Sequence, residues 1–235
     1  MPVRKADTAR GVFVAGTDTG VGKTLVACAL LQGLAVSGLR AVGMKPVAAG
    51  AVRRAGGWHH EDVAQLQRAG NVEVTPAMMN PYCFEPAIAP HIAAQEAGVP
   101  IRMALIEQRY RQLARLADVI VVEGVGGLLV PLGRSLDAAD IPLRLRLPVL
   151  LVVGLRLGCL NHALLTVAAV QARGLRLAGW VANHIDPAMA RVEQNLQALQ
   201  KRIQAPLLGE IACVRRPHPA TLARLLDIRR LQAMI

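Results

Sequence analysis

The stretch Val12-Phe13-Val14-Ala15-Gly16-Thr17-Asp18-Thr19-Gly20-Val21-Gly22-Lys23-Thr24 constrains this chain more than any other. A short apolar run ends at a glycine, turns through a Gly-rich loop and restarts as a periodic apolar segment at Lys23. Glycines let the backbone curl so that successive N–H groups point into one concavity, and the start of a helix adds partial positive charge. Such a turn cradles phosphates. Lys23 is then placed to reach the β- and γ-phosphates, and the Thr24 hydroxyl to ligate Mg²⁺. A strand before the turn and a clean helix after it distinguish it from a plain Gly-rich connection. Five residues separate Gly16 from Gly22, where the common motif has four. The expectation is an ATP-dependent enzyme whose γ-phosphate chemistry centres on Gly16–Thr24.

The rest of the chain continues the alternation. Apolar runs over Val12–Ala15, Ala41–Met44, Val119–Val122, Val149–Val153 and Ala178–Ala182 predict buried strands, continuous in apolar character as parallel strands are. Helical periodicity fills Lys23–Ser37, Glu61–Ala69, Ile101–Leu116, Leu160–Ala172 and Pro187–Ile203. Gly38, Gly70 and Gly174 follow three of these as stop signals, because glycine accepts a left-handed conformation. The pattern predicts an α/β fold, a single-domain P-loop NTPase-like parallel sheet with helices on both faces. That domain is expected over 11–235, after a polar tail at 1–10. Ala48–His60 and Asn71–His91 read as irregular segments, the first at a strand's C-terminal end, where ligands of open α/β sheets sit.

Composition narrows the partners. With 235 residues, 53% hydrophobic and only 3% aromatic, the core must be filled by Leu, Val, Ile and Ala. The formal charge of +11 is spread along the chain with no run of five basic residues. Few aromatics are available for base stacking, so a solvated Arg-rich surface is expected and no nucleic-acid partner. Cys28, Cys83, Cys159 and Cys213 form no CxxC pair and are expected as buried free thiols in a reducing compartment. The longest apolar stretch, Leu147–Leu165, is broken by Arg156, Asn161 and His162, so it reads as a strand feeding a helix and not a membrane span. No secretory signal is read, and a cytoplasmic location is expected.

Three further residues suit phosphate chemistry. Mg²⁺ needs hard oxygen ligands beside the phosphates. Glu123 ends the run Val119–Val122 at the nucleotide side of the sheet, and Gly124-Val125-Gly126-Gly127 permits close backbone approach. Asp62 opens a helix with Glu61 and reads either as a capping acid or as a second ligand. Lys45 ends the strand Ala41–Met44 and is either a fixed charge beside an anionic substrate or a rim residue.

Taken together, GTDTGVGKT (Gly16–Thr24), GMKPVAAG (Gly43–Gly50), EDVAQLQR (Glu61–Arg68), NPYCFEPAIAPHIAA (Asn80–Ala94), VVEGVGGLLVPL (Val121–Leu132), LPVLLVVGLRLGCLNHALLT (Leu147–Thr166), LAGWVAN (Leu177–Asn183) and APLLGEI (Ala205–Ile211) resemble the dethiobiotin synthetases, in family order and over most of the chain after Gly11. The resemblance implies carboxylation and ring closure of 7,8-diaminononanoate with CO₂ or bicarbonate and ATP, through a carbamate and a carbamic-phosphoric anhydride. It implies Thr24, Asp62 and Glu123 as Mg²⁺ ligands, Lys23 on the phosphates, and Lys45 facing carbamate and γ-phosphate. Gly20, Val21, Gly22, Leu25, Gly124, Val125 and Gly126 would line the nucleotide, and Asn183 would read adenine. Thr19, Ala49 and the segment Leu157, Gly158, Cys159 and Asn161 would meet the diamine and its carboxylate tail. A homodimer is implied, because the family reaches that tail across its interface.

Two departures stand out. The family often has Ser or Thr where this chain has Ala49, and Gly20 replaces an acid found in some relatives. The segment Cys213–Pro219 also matches poorly. Two other readings share the long phosphate loop. Cobyrinic-acid amidases append a glutamine-hydrolysing domain, for which no room is expected after Ile211. Partition-type ATPases carry a signature lysine that would fall at Asp18, which is acidic.

Overall fold

The computed structural model describes residues 10–54, 57–214 and 218–235. The first half runs β1 (Arg10–Gly16), α1 (Lys23–Val36), β2 (Ala41–Met44), β3 (Val47–Ala49), β4 (Val52–Arg54), β5 (Gly57–His59), α2 (Glu61–Ala69), α3 (Pro76–Met79), β6 (Tyr82–Phe84), α4 (Pro90–Glu96) and α5 (Met103–Ala114). It continues with β7 (Val119–Gly127), α6 (Asp140–Leu145), β8 (Val149–Leu155), α7 (Cys159–Ala172), β9 (Leu177–His184), α8 (Val192–Arg202), β10 (Leu207–Ile211), α9 (Pro219–Ala223) and α10 (Ile228–Gln232). Six strands form one all-parallel sheet in the order β10-β9-β8-β1-β7-β2.

Side chains alternate across each central strand, and this divides the interior into two cores. Phe13, Val42, Ile120 and Leu151 pack with α5, α7 and α8. Val12, Val14, Val119, Val121 and Leu150 pack with α1, α2 and α10. Both faces are therefore covered, which is why the strands read as continuous apolar runs. Since β1 lies between β7 and β8, the chain changes direction of travel across the sheet at its centre. The crevice at such a point, outside the strands' carboxyl ends, is where this architecture binds ligands.

Several expectations are corrected. Arg10, expected in the tail, opens β1 and pairs with Val119, while the remaining tail, 1–9, lies outside the described residues. The middle of the poorly matching segment Cys213–Pro219, 215–217, lies outside them too. The segment Ala48–His60 is not plain loop: it holds β3, paired with β6, and the exposed hairpin β4–β5. Asn71–His91 contains α3 and β6. These elements are only three or four residues long, too short for periodicity to declare them. Helix α8 begins at Val192 and not at Pro187, because the chain turns after Asp186, whose Oδ1 accepts the Ala188 N–H at 2.9 Å. Gly38 and Gly174 are left-handed at φ +83° and +65°, but Gly70 has φ −75°. It is needed for space: a Cβ there would stand 3.0 Å from the Ala41 carbonyl oxygen.

Cys28 and Cys159 are buried free thiols as expected, whereas Cys83 is half-buried and Cys213 exposed. Among the described residues no helix is long and apolar enough to cross a membrane.

Candidate active site

Two left-handed glycines shape the phosphate loop. Gly20 and Gly22 have φ of +75° and +94°, a conformation that a Cβ penalises. Gly22 caps the N-terminus of α1, and a Cβ on it would stand 2.3 Å from Asn183 Nδ2. Asn183 lies buried near the C-terminal end of β9 and donates from Nδ2 to the Val21 carbonyl at 2.8 Å. The loop is thus held from behind by a strand far away in sequence, with Leu25 partly buried in the first turn of α1.

Lys23 is 7% exposed, and its Nζ donates to the Asp18 carbonyl at 2.8 Å. Burial, followed by the charge of Lys45, pushes its pKa down from 10.5 to about 8, against the pull of Glu123, Asp62 and Asp18. Asp18 also accepts the Thr19 N–H at Oδ1 (2.7 Å) and the Arg156 guanidinium at Oδ2 (2.5 Å). Both members of that ion pair are substantially exposed, so it orients more than it stabilises.

Sheet register builds the other half of the site. Met44 of β2 lies level with Val122 of β7, so the next residues, Lys45 and Glu123, meet. Lys45 Nζ is 2.5 Å from Glu123 Oε1 and 3.0 Å from Asp62 Oδ2, and it donates to the Gly124 carbonyl at 3.0 Å. An ammonium has three donors, and all three are engaged. Burial opposes the charge on Lys45, but Glu123 and Asp62 outweigh it and raise the pKa. The same contest runs at Asp62, where burial is outweighed by Lys45 and the carboxyl titrates below its ordinary value. Asn80, itself buried, donates to the carbonyls of Lys45 (2.6 Å) and Tyr82 (2.9 Å) and fixes the backbone that carries the lysine.

Glu123 is 1% exposed, and its Oε1 also accepts the Thr24 hydroxyl at 2.8 Å. Its Oε2 is buried without a hydrogen-bond partner. A desolvated carboxylate oxygen left alone is costly, and a cation would satisfy it. Thr24, Asp62 and Glu123 offer only hard oxygen donors, the set that suits Mg²⁺ when phosphate oxygens complete the shell. Among the described residues no cluster of three His, Cys, Asp or Glu side chains forms a metal cage by itself, so phosphates would have to contribute.

Of the two readings of Asp62, the capping one is corrected. His60 is the N-cap of α2, its Nδ1 accepting the Asp62 N–H at 3.2 Å, and this leaves the Asp62 carboxylate to Lys45. Thr19 is exposed, with its Oγ1 3.6 Å from where a Cβ on Gly126 would stand, so the phosphate loop and the glycines after Glu123 adjoin. Gly124 is buried and Val125 partly so, at the end of β7. Ala49 is half-buried in β3. Leu157 and Asn161 are exposed and Gly158 is the N-cap of α7. Cys159, between them, has its thiol turned into the core and its N–H bonded to the Arg156 carbonyl at 3.0 Å.

Sequence reasoning misses four residues of this site. Asn80 and His60 have a signal available, the first as an Asn-Pro before a strand and the second as the residue preceding an acidic first helical turn. Arg156 directly follows a buried strand, and Asp18 sits inside the loop. Their pairing across 138 positions has none.

The fold, the left-handed loop and the buried acid–lysine cluster define a phosphate-loop α/β protein built for nucleotide-dependent chemistry. A family profile described as an AAA domain matches residues 10–216. The chain is 56% identical over 214 residues to the ATP-dependent dethiobiotin synthetase BioD of Aromatoleum aromaticum, covering 91% of this chain and 95% of that protein. It therefore belongs to the dethiobiotin synthetase family, whose members are ATP-dependent ligases. Among solved structures, the septum site-determining protein MinD with Mg-ADP from Pyrococcus horikoshii superposes with a TM-score of 0.55 at 14% identity, over 97% of this chain and 96% of that one. The MinD cell division protein of Aquifex aeolicus gives 0.56 at 16%, over 96% and 97%. At such identity the likeness is one of fold.

Proposed function

We propose that this chain joins CO₂ to 7,8-diaminononanoate and closes the ring at the expense of ATP, giving dethiobiotin, ADP and phosphate. The observation that carries this reading is the buried Lys45–Glu123–Asp62 cluster set beside the Lys23–Thr24 turn. One amine adds to CO₂ and loses a proton, forming a carbamate. A carbamate oxygen attacks the γ-phosphorus and ADP leaves. The second amine then attacks the carbonyl carbon of the carbamic-phosphoric anhydride and expels phosphate. No step needs a protein nucleophile, so the protein acts by positioning and by neutralising charge.

In this reading Lys23 leaves the Asp18 carbonyl for the β- and γ-phosphates. Lys45 exchanges one of its three contacts for a carbamate or γ-phosphate oxygen. Thr24, Asp62 and Glu123 hold Mg²⁺, which neutralises phosphate charge when bound. Gly20, Val21, Gly22, Leu25 and Gly124 to Gly126 wall the nucleotide. Asn183 keeps one N–H and its carbonyl oxygen for the adenine edge. Thr19 and Ala49 line the diamine, and its carboxylate meets the start of α7, at Leu157, Gly158, Cys159 and Asn161, of a second copy. Helix α7 and the turn before it support a homodimer: Ala163, Val167 and Val170 face the core, yet Leu165 on the helix is 62% exposed and Leu157, just before its cap, 92%. The setting is the cytoplasm.

The test is ADP release by purified protein with and without diamine and bicarbonate. Release only when both are present is expected; equal hydrolysis without diamine would sink the reading.

A further inference from the structure

His60 is bonded on both ring nitrogens to opposite walls of the site. Its Nε2 lies 3.1 Å from the Ala49 carbonyl of β3, and its Nδ1 lies 3.2 Å from the Asp62 amide of α2. A carbonyl can only accept and an amide N–H can only donate, so the proton sits on Nε2 and Nδ1 is bare. Among the described residues no other side-chain hydrogen bond or ion pair joins β3 itself to the first turn of α2, although Lys45, just before β3, pairs with Asp62. Between them runs the exposed hairpin β4–β5, which has no core of its own to fix their spacing. The side chain of His60 is only 12% exposed, so its bonds are largely shielded from water.

We infer that His60 is a positioning residue, a brace that sets the β3 wall against the first turn of α2 and thereby orients the Asp62 carboxylate. The inference rests on the proposed roles of Asp62 toward Mg²⁺ and of Ala49 toward the diamine. Each bond serves a different ligand. The Nδ1 cap holds the turn from which Asp62 reaches Lys45 Nζ. The Nε2 donor holds the strand on which Ala49 lies.

The two functions separate chemically. In His60→Asn the amide oxygen falls near the position of Nδ1 and keeps the cap, but nothing reaches Ala49. In His60→Gln the amide nitrogen falls near Nε2 and can donate to Ala49, while the cap is lost. His60→Ala removes both. Two readouts are needed: Mn²⁺ binding followed by electron paramagnetic resonance with a non-hydrolysable ATP analogue, and the KM for diamine. His60→Ala should weaken both about fivefold, the effect of losing one cap or one neutral hydrogen bond. The Asn variant should recover Mn²⁺ binding but not the diamine KM, and the Gln variant the reverse. Parallel losses in the two variants, or an Ala variant within about twofold of the native protein on both readouts, overturn the brace. Asp62→Asn serves as the control: unchanged Mn²⁺ binding there overturns the ligand role of Asp62, whatever the His60 variants do.

Discussion

Lys23 and Lys45 are both buried ammonium groups at the carboxyl end of the sheet, yet their surroundings drive them in opposite directions. Burial is the largest influence on each. Lys23 donates to a carbonyl within its own loop and is left at about 8. Lys45 faces two carboxylates brought by β7 and α2, and its pKa rises. Direct contact decides the outcome: the two carboxylates pair with Lys45 itself, whereas their pull on Lys23 is opposed by the charge of Lys45. Lys23 is a charge awaiting its counter-ion, which fits a group that meets phosphate. Lys45 is already neutralised by the protein, so in the proposed reaction it would act on substrate by exchange.

The contrast breaks first at Lys45. Lys45→Gln strands two carboxylates, and removing one partner of a buried pair costs about 3–5 kcal/mol. We expect a large loss of stability in denaturant unfolding and a loss of turnover exceeding any loss of ATP affinity. The reverse ranking would place Lys45 on the nucleotide. Lys23→Ala should do the opposite, causing no loss of stability at neutral pH while ATP binding weakens roughly ten- to a hundredfold, as loss of a charge-assisted bond implies. Titration calorimetry checks this, and unchanged affinity would refute the assignment of the loop.

Protons sharpen the comparison further. In protein free of metal and nucleotide, Lys23 loses its proton near 8 when folded and near 10.5 when unfolded. Between those values the unfolded chain binds more protons, so stability from this group rises with pH. Lys45 has the other sign: its stabilisation is complete below 10.5 and is lost only as pH climbs through its raised folded value. Denaturant unfolding at about pH 7.5 and about pH 9.5 should show the rise, and Lys23→Met should abolish it. The smallest effect is expected from Ala49→Ser, which adds a hydroxyl on β3 at the proposed diamine wall. It should lower the diamine KM by up to about tenfold, the range of one neutral hydrogen bond.

What is legible in sequence follows the same divide. The phosphate loop is contiguous, and each of its parts announces itself. Strand β2 and helix α2 are also predicted to the residue, because an unbroken apolar run and a strong helical period leave few alternatives. Lys45 stands open between substrate charge and rim residue because its partners depend on β2 lying beside β7, a matter of sheet order that no local pattern carries. Asp62 is ambiguous for a related reason: cap and ligand look alike until His60 is seen to take the cap. Strand β10 escapes notice as a strand because Gly209 and Glu210 interrupt its apolar run on the sheet's edge.

The bond from Lys23 to the Asp18 carbonyl bears on how a catalytic cycle ends. An ammonium with no alternative partner would cling to the departing phosphates, and their exit would leave a buried charge bare. In the proposed cycle the Asp18 carbonyl, one residue before Thr19, is a resting place for that ammonium, so phosphate would leave without exposing it. Emptying the site is therefore provided for in the same turn that fills it.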